Sequence, residues 1–264
     1  MKVNKTVLKT IPILVASALA LSACSAPAPE ATAAKSNRVI TIATSNDAPF
    51  AFTDSAGNLT GIDGEMWLEI GKCNGWDTKV FITDFATLIP SLTAKKADII
   101  VDAMYITDKR KETINFTDPW YIQGEGVLVP AKSTVKTRGD LKGLKLGAQT
   151  GTVFADFIAT LGGSETKFFD SQAALIAAVE NGQVDAIVTD AAVLGYSLVQ
   201  KPNNKIKLVL PYTPFFPGII GAGTRKEDTE LLAGVNKCLG ELKASGKYLE
   251  ILKKYGLGED NVSK

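Results

Sequence analysis

From Arg38 onward, short β-rich runs alternate with helical patterns, and that alternation leaves few folds open. Val39–Ala43 reads as a strand, Gly64–Lys72 as a helix with Met66 and Ile70 one turn apart, and Thr78–Ile82 as a second strand. A helix over Thr87–Ala94 sets Leu88 and Leu92 on one face before Asp98–Val101 returns as a strand. Such a βαβαβ succession predicts a mostly parallel sheet covered by helices.

A second unit repeats the rhythm. Glu125–Pro130, Leu144–Gln149 and Lys167–Phe169 read as strands and Val153–Leu161 as a helix. Ser171 has the character of an N-cap for a helix carrying Leu175 and Val179 that stops at Gly182. Ala186–Thr189, Ile206–Leu210 and Gly218–Ala222 continue the strands. Two helices close the chain, Glu227–Lys243 with the stripe Leu231, Val235, Leu239 and Leu242, and Lys247–Tyr255. These helices do not finish the second sheet, so they are expected to return to the first unit. The expected organisation is α/β and two-lobed, with 38–124 and 220–264 forming one lobe and 125–219 the other. Two crossings, near Ile122–Glu125 and Gly218–Gly221, then join the lobes, a connection suited to hinge closure around a ligand.

The segment before this body has a different character. Lys2, Lys5 and Lys9 precede an apolar run over Ile11–Leu21, too short to span a bilayer as a mature helix but suited to a secretory signal over 1–23. Leu21-Ser22-Ala23-Cys24 resembles the bacterial lipobox, which implies lipidation of Cys24. The Ala/Pro/Ser stretch that completes 24–37 reads as a tether reaching about 45 Å when extended. Taking the three leader lysines from 29 basic residues leaves 26 against 28 acidic ones, so the mature body is mildly acidic and not built to grip nucleic acid. Its expected place is outside the cytoplasmic membrane, lipid-anchored and monomeric. In that oxidising setting Cys73 and Cys238 form either a disulfide or two separate buried thiols.

The chain has no histidine, which excludes Ser-His-Asp and Cys-His triads, imidazole zinc sites and histidine proton shuttles. No metal-ligand spacing or phosphate-cradling loop suggests a metal or a cofactor. The best fixed charge for recognising a carboxylate is Arg110, since arginine alone offers a rigid bidentate fork, and it is expected in a loop just after the strand Asp98–Val101, where α/β sheets place ligands.

Several segments resemble one family in order along the chain. Gly61-Ile62-Asp63-Gly64-Glu65, Ile106-Thr107-Asp108-Lys109-Arg110, Asn115–Tyr121, Gly147–Thr152 and Val184–Asp190 are similar to the motifs of family 3 of the bacterial extracellular solute-binding proteins, receptors for polar amino acids. The resemblance spans nearly all of 38–258. It implies a type II periplasmic-binding-protein-like fold, with two mostly parallel sheets joined by a two-strand hinge, and a non-catalytic receptor that delivers solute to an ABC permease. Residue by residue, it implies Arg110 for the ligand carboxylate and Asp190, permanently ionised, for the ligand ammonium. Ala103, Gln149, Thr152 and Val153 line the same cleft, with backbone N–H groups of Gly151–Val153 as further donors unless Thr150 or Thr152 merely caps the helix. Asp190 is otherwise an N-cap for the helix starting at Ala191, and Asp185 is expected to be structural.

Three departures bear on the ligand. Asp47 stands where the family has an aromatic before Ala-Pro-Phe, Tyr105 replaces a small hydroxyl residue, and Val153 and Phe154 replace more polar residues. These features resemble the ectoine and hydroxyectoine binders of the family, with Asp47 supplying charge and Phe50, Phe85 and Tyr105 caging a cation. A desolvated cation–π contact contributes about 2 kcal/mol. The same set also suits an arginine-like amino acid, an opine or a betaine, and Phe85 is equally readable as core. A second class of function is an enzyme resembling exported cyclohexadienyl dehydratases. It requires a protonated acid in the cleft, for which Asp47 and Asp190 are the candidates.

Overall fold

The computed structural model describes residues 38–162 and 165–263. The segments expected to be a signal peptide and a tether, with Cys24, lie outside the described residues. In chain order the elements are β1 (Arg38–Thr44), β2 (Phe52–Thr53), β3 (Leu59–Thr60), α1 (Ile62–Asn74), β4 (Trp76–Ile82), α2 (Leu88–Thr93), β5 (Ile99–Ile100), α3 (Asp108–Thr113), β6 (Asn115–Phe116) and β7 (Tyr121–Gln123). There follow β8 (Glu125–Pro130), β9 (Lys145–Gln149), α4 (Val153–Ala159), β10 (Glu165–Phe169), α5 (Gln172–Glu180), β11 (Ala186–Asp190), α6 (Ala191–Gln200) and β12 (Ile206–Leu208). The chain finishes with β13 (Gly218–Ile220), β14 (Gly223–Thr224), α7 (Thr229–Ala244) and α8 (Lys247–Lys254).

Two five-stranded sheets result, in the orders β4-β1-β5-β14-β6 and β10-β9-β11-β8-β12. Each is mixed rather than mostly parallel. β1 pairs in parallel with β4 and β5, and β9 with β10 and β11, whereas β14 and β8 pair antiparallel with both of their neighbours. The reason is the crossing. β8 and β14 each enter their sheet directly from the other lobe and so run against the strands laid down by local βαβ turns. The crossing strands β7 and β13 pair antiparallel with Ile122 opposite Ile219, which makes the two-strand connection between the lobes.

The apolar periodicities explain which faces are covered. In β1, Ile40 and Ile42 are fully buried, and α1 turns Met66, Trp67 and Ile70 inward. Trp67 Nε1 donates to Thr78 Oγ1 at 2.9 Å, so this fully buried indole keeps its polar edge satisfied. The stripe Leu231, Val235, Leu239 and Leu242 is buried along α7, which belongs with the first sheet as the chain order suggested. A disulfide between Cys73 and Cys238 clamps α1 to α7, which settles the choice between a bridge and separate thiols. In the second lobe, Leu175 and Val179 of α5 pack on Ile187 and Leu128 of the sheet. Ser171 caps α5 by accepting from the Ala174 amide, as its position predicts. Asp185 is structural: its carboxylate accepts from the Lys145 amide at 2.8 Å at the start of β9.

Candidate functional site

Between the sheets lies a narrow cavity, and all ten residues singled out for the cleft line it: Asp47, Phe50, Phe85, Ala103, Tyr105, Arg110, Gln149, Thr152, Val153 and Asp190. They come from the carboxyl ends of parallel strands. Asp47 follows β1, Ala103 follows β5, and Gln149 and Asp190 end β9 and β11.

Arg110 is not on a loop. It sits on α3, a six-residue helix without apolar periodicity, whose N-cap Thr107 accepts from the Arg110 amide at 3.2 Å. Its guanidinium donates to the Tyr105 carbonyl at 2.8 Å and to the Gly151 carbonyl at 3.1 Å, so it is held from both lobes. Gly151 has φ +80°, and a Cβ there would lie 2.9 Å from Ala86 Cα, so glycine is what allows the second lobe this close. Burial lowers the Arg110 pKa to about 10, opposed by the charges of Asp156 and Asp190, so it stays a cation at neutral pH. The Arg110 guanidinium lies 5.5 Å from the Phe85 ring centre, so Phe85 already faces a cation of the protein itself.

Asp190 differs from its expected state. It is 7% exposed and gives no cap to α6; its Oδ1 accepts instead from Gln123 Nε2, on the crossing strand β7, at 2.7 Å. Burial raises its pKa to about 7, and the negative charges of Asp47 and Asp63 push the same way. The Tyr105 hydroxyl tempers that rise without making a hydrogen bond of good geometry. Without a ligand cation beside it, the Asp190 carboxyl therefore shares its time between acid and anion near neutral pH. The Tyr105 ring itself packs edge-on against Phe154, with centres 5.5 Å apart.

Asp47 is engaged on both sides. Its Oδ2 accepts from Ser45 Oγ and from Gln149 Nε2, each at 2.9 Å, and burial still raises its pKa. Behind Gln149 a relay continues: Gln172 Nε2 donates to Gln149 Oε1 at 2.7 Å, and Thr189 Oγ1 donates to Gln172 Oε1 at 3.0 Å. Thr152 acts as the cap of α4, accepting from the Ala155 amide at 3.3 Å, and its own N–H goes to the Gln149 carbonyl. That N–H is thus not a free donor.

Ala103 has φ 46°, unusual for a residue with a Cβ. Its N–H is held by Asp63, whose Oδ2 also accepts from Tyr121 Oη at 2.8 Å. The acid of the Gly61–Glu65 segment thus positions the cavity wall from behind. Phe154, noted with Val153 among the departures, lines the cavity too, and Ser45, Asp102 and Gln172 line it as well and were missed. For Asp102 a signal was present, since it directly follows an apolar strand of a parallel sheet. Among the described residues, the group that gathers three metal-type donors is Cys73, Cys238 and Glu241, and both sulfurs are spent in the disulfide. No helix of the described residues is long and apolar enough to cross a membrane.

Comparison with known proteins agrees with this architecture. The model for bacterial extracellular solute-binding proteins, family 3, matches residues 40–258. A probable histidine-binding protein of Neisseria gonorrhoeae is 33% identical over 251 residues, covering 92% of each chain. The lysine/arginine/ornithine-binding periplasmic protein of Escherichia coli K12 is 31% identical, covering 79% of this chain and 83% of the relative. An ancestral arginine-binding protein, solved bound to arginine, superposes with a TM-score of 0.77 at 32% identity, covering 83% of this chain and 98% of that one. These relatives are named as binding proteins, in keeping with a non-enzymatic role. The chain belongs to the bacterial extracellular solute-binding proteins, family 3.

Proposed function

We propose that the chain is the receptor of an ABC importer for a polar amino acid, or an amino-acid-like zwitterion, that carries an additional cationic or cyclic nitrogen. The observation that carries this reading is the lining of one cavity by a single cation, Arg110, with the carboxyls of Asp47, Asp102 and Asp190. The guanidinium uses two of its five donors on carbonyls and keeps others for a ligand carboxylate. A ligand ammonium beside Asp190 restores the anion that burial disfavours, and a further cationic group suits Asp47. The names of the histidine- and lysine/arginine/ornithine-binding relatives support the same class. Ectoine belongs to it as well. Against a three-ring cage stands the Arg110 guanidinium over Phe85, which favours a compact cationic amino acid.

The lobes, 38–124 with 220–264 and 125–219, close about β7 and β13, and the ligand stabilises the closed form by its greater affinity for it. The closed form then docks on a permease. Lipid attachment at Cys24 keeps the receptor at the membrane surface, a reading checked by palmitate labelling that disappears in Cys24→Ala. Titration calorimetry with ectoines, lysine, arginine, betaines, and neutral and acidic amino acids tests the ligand class. Binding of the cationic or cyclic zwitterions is the expected result, and binding confined to neutral or acidic amino acids refutes it. The enzyme alternative is tested by prephenate turnover, which this reading expects to be nil.

A further inference from the structure

Asp102, which lines the cavity, meets the fully buried Thr44, and the protons between them can be counted. Thr44 Oγ1 lies 2.6 Å from the Ala51 carbonyl oxygen, 2.9 Å from Asp102 Oδ1 and 3.0 Å from the Asn46 amide nitrogen. A threonine hydroxyl brings one proton and two acceptor lone pairs. The Asn46 N–H occupies one lone pair. The Ala51 carbonyl has no proton to offer, so the 2.6 Å contact takes the Thr44 proton; turned elsewhere, it would leave two oxygen lone pairs facing each other. The contact with Asp102 then closes only if Asp102 Oδ1 carries a proton and donates it to Thr44.

The other oxygen of Asp102 fits the same count. Asp102 Oδ2 accepts from the Ser45 amide at 2.9 Å and lies against the Ser45 hydroxyl, which also reaches Asp47 Oδ2. The Ser45 hydroxyl has one proton for two carboxyls and lies 2.5 Å from Asp102 Oδ2 against 2.9 Å from Asp47 Oδ2, so the proton goes chiefly to Asp102. A neutral Asp102 then holds one hydroxyl through each oxygen, donating to Thr44 and accepting from Ser45. Asp102 is 2% exposed. Burial, and then the charge of Asp47, hold its carboxyl well above the usual carboxylate range. The remaining charged groups of this region are engaged elsewhere: Asp63 by Tyr121, Asp190 by Gln123, and Arg110 by two carbonyls.

We propose that Asp102 is a proton-carrying positioning residue: it remains a neutral carboxylic acid that fixes Thr44 and Ser45, so it adds no charge of its own beside Asp47 and leaves that carboxyl to meet the positive group of the ligand. The part concerning the ligand rests on the function proposed above. The part concerning the proton does not.

Carbon-13 NMR of aspartate side chains tests the proton directly. The carboxyl resonance that disappears in Asp102→Asn is expected to stay at its protonated position through neutral pH, with no ligand added. A resonance that passes to the ionised position in the ordinary acid range overturns the proposal. Calorimetry with arginine tests the positioning. Asp102→Ala is expected to weaken binding about tenfold by orphaning Thr44 and Ser45. Asp102→Asn, whose amide donates to Thr44 in place of the acid, recovers affinity to within about threefold of the wild type. An equal loss in both variants means that the Asp102 charge is needed and overturns the proposal. If the wild type binds no cationic ligand, the functional reading falls, while the NMR titration still decides the state of Asp102.

Discussion

Gln149 Nε2, at the end of β9, donates to Asp47 Oδ2, just beyond β1, across 2.9 Å. The second sheet is thereby tied to the first at the cavity wall itself. Arg110 makes the complementary tie through the Gly151 carbonyl. Both ties involve residues that line the cavity, so the closed arrangement and the proposed binding set are built from the same side chains.

Replacing Arg110 by lysine keeps the charge but removes the planar fork, leaving one compact ammonium for two carbonyls and a ligand carboxylate. A charge-assisted hydrogen bond contributes about 1.5–3 kcal/mol, so affinity is expected to fall roughly tenfold to a hundredfold with little change in melting temperature. Titration calorimetry paired with a thermal melt checks both halves.

The unliganded protein is expected to lose stability as pH rises from about 4 to about 7. Asp190 and Asp63 both titrate near 7 in the folded chain, raised chiefly by burial, against about 4 in an unfolded one. Between those values the folded state binds more protons than the unfolded state, so the slope of unfolding free energy against pH is negative. Urea melts across that range measure it. Asp47 and Asp102, also raised by burial, add to the same slope, and Asp190→Asn is expected to flatten it by removing one contributor.

The bridge between Cys73 and Cys238 spans 165 residues of sequence and joins α1 to α7 within the first lobe, away from the cavity. Its loss in the double serine variant is expected to cost about 2–5 kcal/mol of stability while ligand affinity is retained. Chemical denaturation and calorimetry on the same sample test the separation. A large loss of affinity in a folded variant would contradict it.

Gly218, on the crossing strand β13, lies under the Tyr105 ring, where a Cβ would stand 2.0 Å from two ring carbons. Gly218→Ala therefore forces Tyr105 to move. Overpacking of this kind costs roughly 1–3 kcal/mol, and because Tyr105 lines the cavity, affinity should fall as well. A melt and a binding isotherm that both match the wild type would show that the ring is free to shift.

The order of strands and helices was legible because apolar periodicity carries it, as in the α7 stripe from Leu231 to Leu242. The mixed pairing was not, because β8 and β14 owe their direction to a crossing between lobes rather than to any local pattern. In the cavity, motif-bearing positions such as Arg110 and Asp190 stood out. Their environment did not: the short helix under Arg110 has no periodicity, and the protonation of Asp190 depends on burial among groups far apart in sequence. Asp102 carried a signal in its place after an apolar run, but its surroundings were not legible, since Thr44 and Ser45 reach it only through the fold.

The central claim, that the cavity recognises a zwitterion with a further positive charge, is tested most directly by comparing arginine with citrulline, its near-isosteric neutral counterpart. The wild type is expected to bind arginine at least about tenfold more tightly, and Asp47→Asn to erase most of that preference, as loss of one charge-assisted contact implies. Equal affinity for the two ligands in the wild type, or an undiminished preference in Asp47→Asn, would contradict the account.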